Sequence, residues 1–100
     1  MRSPGSAFDD ERERVLPDGV TIRRRRRRRG WSRRDLVDAI ARASLAASGR
    51  ADTITPAILR AVEEENEAVA YRVVCLISAG LDCNPVELLL PEPPPDETLH

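Results

Sequence analysis

Between residues 19 and 90 the apolar positions recur at helical spacing, and strand-type alternation is absent. Leu36, Val37, Ile40 and Ala41, continued by Ala43 and Leu45, fall on one face of a helix, and Ile58, Leu59 and Val62 stripe another. Val69, Val73, Cys75, Leu76 and Ile77 make a segment over residues 67–79 the most apolar of all. The punctuation between these segments agrees. Residues 19–29 form a first helix ended by Gly30, a residue suited to a helix C-terminus. Ser32 opens the second with Asp35 three residues on, an acidic form of the capping box, and Trp31 is placed to staple onto it. Ser48-Gly49-Arg50 is a break. Thr55-Pro56 starts the third helix with a capping hydroxyl and a proline whose missing N–H costs nothing there. Gly80 is expected to stop the fourth, and Asn84-Pro85 to open a short fifth over residues 86–90. The expectation is an all-α domain of five short helices around one core, which a chain of 100 residues can build once but not twice.

The flanks differ in composition. Residues 1–18 are polar, rich in alternating charge and carry a single aromatic, Phe8; they are expected to be an arm with little fixed structure. Residues 91–100 hold four prolines in their first five positions and are expected to be a polyproline-like tail. Pro91 and Pro94 have the spacing that aromatic grooves recognise, a pattern common in solvated tails.

Charge changes the picture. The net charge is only −1, yet residues 1–50 carry 14 arginines against 7 acids, and residues 51–100 carry 2 against 10. Such a layout fits either a face built for a polyanion or two halves that neutralise each other. Other chemistry is scarce. Two cysteines and one histidine cannot supply the four ligands of a structural zinc site, and a Ser-His-Asp triad would depend on His100 at the end of the tail. No catalysis and no cofactor are expected. Cys75 in an apolar run and Cys83 beside a turn fit reduced thiols of a cytoplasmic protein. No apolar run reaches the roughly 18–20 residues of a membrane span, and residues 1–18 lack the apolar segment of a secretory signal.

Over residues 19–90 the order of these pieces resembles the lambda-repressor-like helix-turn-helix family, the Cro-type or xenobiotic-response class of DNA-binding regulators. The similarity is carried by Gly19, Ile22, Arg23, Arg26, Gly30, Ser32 and Leu36, by Ile54, Thr55, Leu59, Val62 and Glu63, and by Leu76, Leu81, Pro85, Glu87, Leu88 and Leu89. The closing Leu-Asp-Cys-Asn-Pro-Val-Glu-Leu-Leu is its most specific stretch. The resemblance implies recognition of double-stranded DNA, with the third helix in the major groove and the second crossing the backbone. It places Arg33 and Arg34 in the first turn of the second helix, beside a phosphate, Arg33 standing where relatives often carry a glutamine. On the third helix it exposes Thr55, Pro56, Ala57 and Arg60, of which Arg60 can reach guanine and Ala57 a thymine methyl. It pairs Arg26 with Glu63, and it implies a homodimer, for which Leu88, Leu89 and Leu90 offer an apolar patch.

Three features depart from the family pattern. Residues 42–53 read as an insertion that lengthens the second helix or loops out. Arg25 stands where relatives bury an aliphatic side chain, so its stem must snorkel. The third helix runs into Glu63, Glu64 and Glu65, with Glu67 just beyond, and acids there oppose both the helix dipole and a phosphate. The acidic third helix, the 42–53 insertion and the acidic flanks favour a second function, the same fold used as a protein-interaction adaptor with weak or no DNA binding. The arginine run at 23–29 admits an acidic protein partner.

The seven consecutive arginines at 23–29 sharpen the choice. As a helix they contain four i,i+3 and three i,i+4 like-charged pairs, roughly 1.5–3.5 kcal/mol of repulsion. Something negative must lie nearby: nucleic-acid phosphate, a protein partner, or internal acids, either Asp9, Asp10, Glu11 and Glu13 or the cluster from Glu63 to Glu67. Arg23, Arg26 and Arg27, with Arg24 at the margin, are expected to share a phosphate-facing side. The DNA-contacting set expected from the sequence is therefore Arg23, Arg26, Arg33, Arg34, Thr55, Ala57 and Arg60.

Overall fold

A computed structural model describes residues 14–91. In chain order it contains β1 (Arg14–Val15), α1 (Gly19–Arg28), α2 (Arg33–Ser48), α3 (Pro56–Glu64), β2 (Val69–Ala70), α4 (Tyr71–Leu81) and a 3₁₀ helix (Pro85–Leu88). The architecture is mostly helical with one small sheet, so it is not purely α and holds four α-helices among the described residues. None of them is long and apolar enough to cross a membrane.

The caps fall where the side chains can make them. Asp18 accepts from the Thr21 amide at 3.1 Å and from its hydroxyl at 2.8 Å, starting α1. Gly30, at φ +74°, ends that turn in the left-handed region where a glycine costs least. Ser32 and Asp35 form a reciprocal capping box at the start of α2, each side chain accepting from the other's amide, at 3.1 and 2.9 Å. Thr55 accepts from the Ile58 amide at 3.1 Å with Pro56 in the first turn of α3. Asn84 accepts from the Val86 amide before Pro85, but here the turn closes as a 3₁₀ helix over Pro85–Leu88 and the expected fifth α-helix does not form.

Residues 42–53 do not loop out. α2 continues to Ser48, and Gly49 turns the chain at φ +79°. The buried Ser44 hydroxyl donates to the Arg50 carbonyl at 2.5 Å and accepts from the Asp52 amide at 3.1 Å. The Thr53 hydroxyl donates to the Val37 carbonyl at 2.7 Å. These bonds fold the connection back along α2 and aim Thr55 at the start of α3.

The expected fourth helix starts later than residue 67. Val69 and Ala70 pair antiparallel with Val15 and Arg14, and the helix begins at Tyr71. The chain that follows β1 is equally fixed. Pro17 bridges to Leu89, the Asp18 amide donates to the Leu88 carbonyl at 2.7 Å, and Leu90 donates to the Leu16 carbonyl at 3.0 Å. Residues 14–18 therefore belong to the fold and not to an arm. The rest of the expected arm, residues 1–13 with Phe8, lies outside the described residues, as does the tail beyond Pro91 with Pro94 and His100.

Ile22, Leu36, Ile40, Leu59, Val62, Val74, Ile77, Leu81 and Leu88 are buried in one cluster, with Trp31, Val15, Val69 and Leu89 against its edge. α2 and α4 form the main helix pair. Gly80 does not stop α4; it sits inside the helix where α2 comes closest, and a Cβ there would lie 2.6 Å from Ile40 Cγ1 and 3.1 Å from its backbone nitrogen. α4 ends instead at Asp82, in the left-handed region at φ +57°.

Candidate nucleic-acid interface

A buried ion pair joins α1 to α3. Arg26 Nε and Nη2 donate to the two carboxylate oxygens of Glu63 at 2.8 and 2.9 Å, and Nη1 donates to the Trp31 carbonyl at 2.9 Å. Arg26 is 6% exposed and Glu63 4%. The hydrogen-bonded Glu63 carboxylate raises the Arg26 pKa, outweighing the desolvation that lowers it. This is the pairing the resemblance implied. It also removes Arg26 from the expected DNA contacts, because a buried guanidinium held by a buried carboxylate and a carbonyl is out of reach of a phosphate.

The network extends to the start of α2 and along α3. Arg33 Nε donates to Glu63 at 3.1 Å and its Nη2 to Glu64, while Arg60 Nε stands 3.5 Å from Glu64. Arg33 is consequently half-buried and bridged to two carboxylates rather than projecting into solvent. Arg60 keeps a mostly exposed side chain, at 63%. Arg34 is exposed and has no partner among the described residues, and Ala57 is exposed on the front of α3. Thr55 is exposed as well, its hydroxyl engaged in the cap. The N-terminus of α2, expected to offer amides to a phosphate, already holds the Asp35 carboxylate in its capping box.

The arginine run divides by helical angle. Arg25 donates to Glu87 at 2.6 Å, which draws the guanidinium across the position expected to need a snorkelling stem. Arg29 donates to the Leu81 carbonyl at 2.6 Å, at the C-terminus of α4, and its guanidinium lies 5.4 Å from the Trp31 ring centroid. With Arg26, these three serve the fold. Arg23, Arg24, Arg27 and Arg28 have no carboxylate partner among the described residues. At about 100° per residue they occupy an arc of roughly 140° opposite Gly19, Ile22 and Arg26. Val20, Arg23, Arg24 and Arg27 line a shallow cleft there of about 260 Å³. Sequence reasoning placed Arg26 on that side and passed over Arg28; the inward position of Ile22, one turn before Arg26, was the signal that assigns both.

The expected dimer patch is also redistributed. Leu88 is fully buried and Leu89 packs against the core. Leu16, Val86 and Leu90 are the exposed apolar side chains nearby, around a groove of about 590 Å³ that Arg14 and Pro91 complete. No group of histidine, cysteine or acidic side chains among the described residues is arranged to hold a metal ion.

Comparison with protein-family models, with curated proteins and with solved structures finds no match to the chain in any of the three.

Proposed function

We propose that this chain is a small sequence-specific regulator that binds double-stranded DNA through the front of α3 and the start of α2, in the manner of a helix-turn-helix protein. The observation that carries the proposal is how α3 is mounted. Leu59 and Val62 anchor its back in the core, Glu63 ties its end to α1 and α2, and Ala57 and Arg60 are left on a rigid exposed front. Arg60 suits a guanine edge, a bidentate contact that discriminates by about 1–3 kcal/mol. Thr55, Arg33 and Arg34 flank it as backbone contacts, Arg33 on exchanging Glu64 for a phosphate. Binding as a homodimer over two half-sites and residence on the cytoplasmic nucleoid belong to the same proposal, as does the lack of any catalytic role.

Selection of bound fragments from random duplex DNA tests it. The proposal expects an enriched sequence, a loss of preference at one base position in Arg60→Ala, and a sequence-independent weakening in Arg34→Ala. Absence of enrichment, with no retention of duplex at about 50 mM salt, overturns it.

Glu64 favours a second reading. By holding both Arg33 and Arg60 it neutralises the two cations nearest the front of α3, and the exposed Glu65 and Glu67 follow. An adaptor built on the same fold would ignore duplex DNA and retain a protein partner in pull-down.

A further inference from the structure

We infer that the outer face of α1 is a second nucleic-acid surface, one that grips the phosphate backbone of duplex DNA without reading sequence. Arg23, Arg24, Arg27 and Arg28 stand together on the arc turned away from the α1–α3 contact, the first three lining a cleft with Val20. The contact itself is tight: a Cβ at Gly19 would stand 2.5 Å from the Val62 carbonyl oxygen and 2.7 Å from that of Glu63. α1 is thereby pinned to α3 on one side and shows its arginines on the other.

Three observations select phosphate as the occupant. Glu63 is committed to Arg26 and Arg33, Glu64 to Arg33 and Arg60, and Glu87 to Arg25, while the exposed Glu65 and Glu67 form no ion pair with the outer arginines. The four outer guanidiniums therefore repel one another with no counter-charge among the described residues. Every cation is also an arginine, whose planar fork matches two phosphate oxygens at once. The spacing matches too. From Arg23 to Arg28 the helix rises about 7.5 Å, an interval over which one strand of a duplex presents about two phosphates and the two strands together about four. The basic end of α1 is compatible with its own dipole, so the helix holds this array in place.

The surface goes beyond the proposed base-reading role of α3 and does not require it. The test uses the full chain, a duplex of arbitrary sequence of about 30 base pairs, and a variant carrying Arg23→Gln, Arg24→Gln, Arg27→Gln and Arg28→Gln. Helix content and the unfolding midpoint verify the fold, and Arg24→Gln with Arg28→Gln serves as a milder form. The full variant is expected to lose at least about tenfold in affinity near 100 mM salt, with the slope of log K against log salt shallower by about two to four. Wild-type affinity and slope in both variants overturn the inference, as does tighter binding of the wild-type chain to phosphatidylserine vesicles or to an acidic protein than to duplex. The two proposals separate cleanly. An enriched sequence with an unaffected α1 variant removes this surface alone. A weakened α1 variant without any enriched sequence removes the base-reading role and leaves this surface standing.

Discussion

Glu63 shows how much of the molecule one side chain can hold. It satisfies Arg26 from α1 and Arg33 from α2 while belonging to α3, and it is almost wholly out of solvent. Glu63→Ala leaves the Arg26 guanidinium buried and unpaired, which is expected to cost about 3–5 kcal/mol in urea unfolding. Replacing the pair together, Arg26→Met with Glu63→Leu, should recover most of that loss, because an apolar pair of similar volume removes the stranded charge. A single-variant cost below about 1 kcal/mol would contradict this account. The sign of the Arg26 shift makes its contribution constant in ordinary buffers. Its pKa is raised in the fold, so the stabilisation is present below the unfolded value and is lost only in strong alkali. Cys83 shifts in the same direction, within reach of experiment. Burial raises its pKa, against the nearby charges of Arg25 and Arg29 that lower it. The fold therefore favours the thiol, and that contribution is present below the unfolded thiol value and declines as pH climbs above about 8.5. Iodoacetamide at about pH 8.5 is expected to alkylate Cys83 more slowly in the native chain than in urea; equal rates would sink the prediction.

At the scale of the element, the distinction between legible and illegible follows the range of the interactions. The starts at Ser32, Thr55 and Asn84 were readable because a cap is settled by three or four consecutive residues. The two strands were not, since each is two residues long and exists only through a partner some 54 positions away. Gly80 carried two meanings, a helix stop or a close approach, and only the position of Ile40 decides between them. The same holds in the candidate interface: the inner and outer sides of the arginine run follow from helical angle, whereas the hold of Glu64 on Arg33 and Arg60 depends on how α3 lies against α2. Gly80→Ala tests the packing meaning. Helix propensity alone favours alanine by about 1 kcal/mol. The methyl would press on the side chain and backbone of Ile40, so we expect net destabilisation of about 1–3 kcal/mol. A more stable variant would show that α2 and α4 can separate freely at this point.

Across the whole molecule the charges sort into two populations that salt should treat differently. The outer α1 face contains three like-charged neighbour pairs, Arg23 with Arg27, Arg24 with Arg27 and Arg24 with Arg28, together about 0.6–1.5 kcal/mol of repulsion that salt relieves. Against it stand exposed attractions that salt weakens, Arg25 with Glu87, Arg60 with Glu64 and Arg72 with Asp52, each worth about 0–1 kcal/mol. The buried Arg26–Glu63 pair is largely shielded from the change. These terms nearly cancel, so raising sodium chloride from about 50 to 500 mM should move the unfolding free energy by less than about 1 kcal/mol. Duplex affinity has no such cancellation, because every phosphate engaged releases counterions, and it should fall by more than tenfold between about 50 and 200 mM. Measuring both on one preparation separates a fold that tolerates salt from a surface that depends on its absence. A stability change as steep as the binding change would mean that the arginine face is consumed within the protein, and no polyanion would then be needed to balance it.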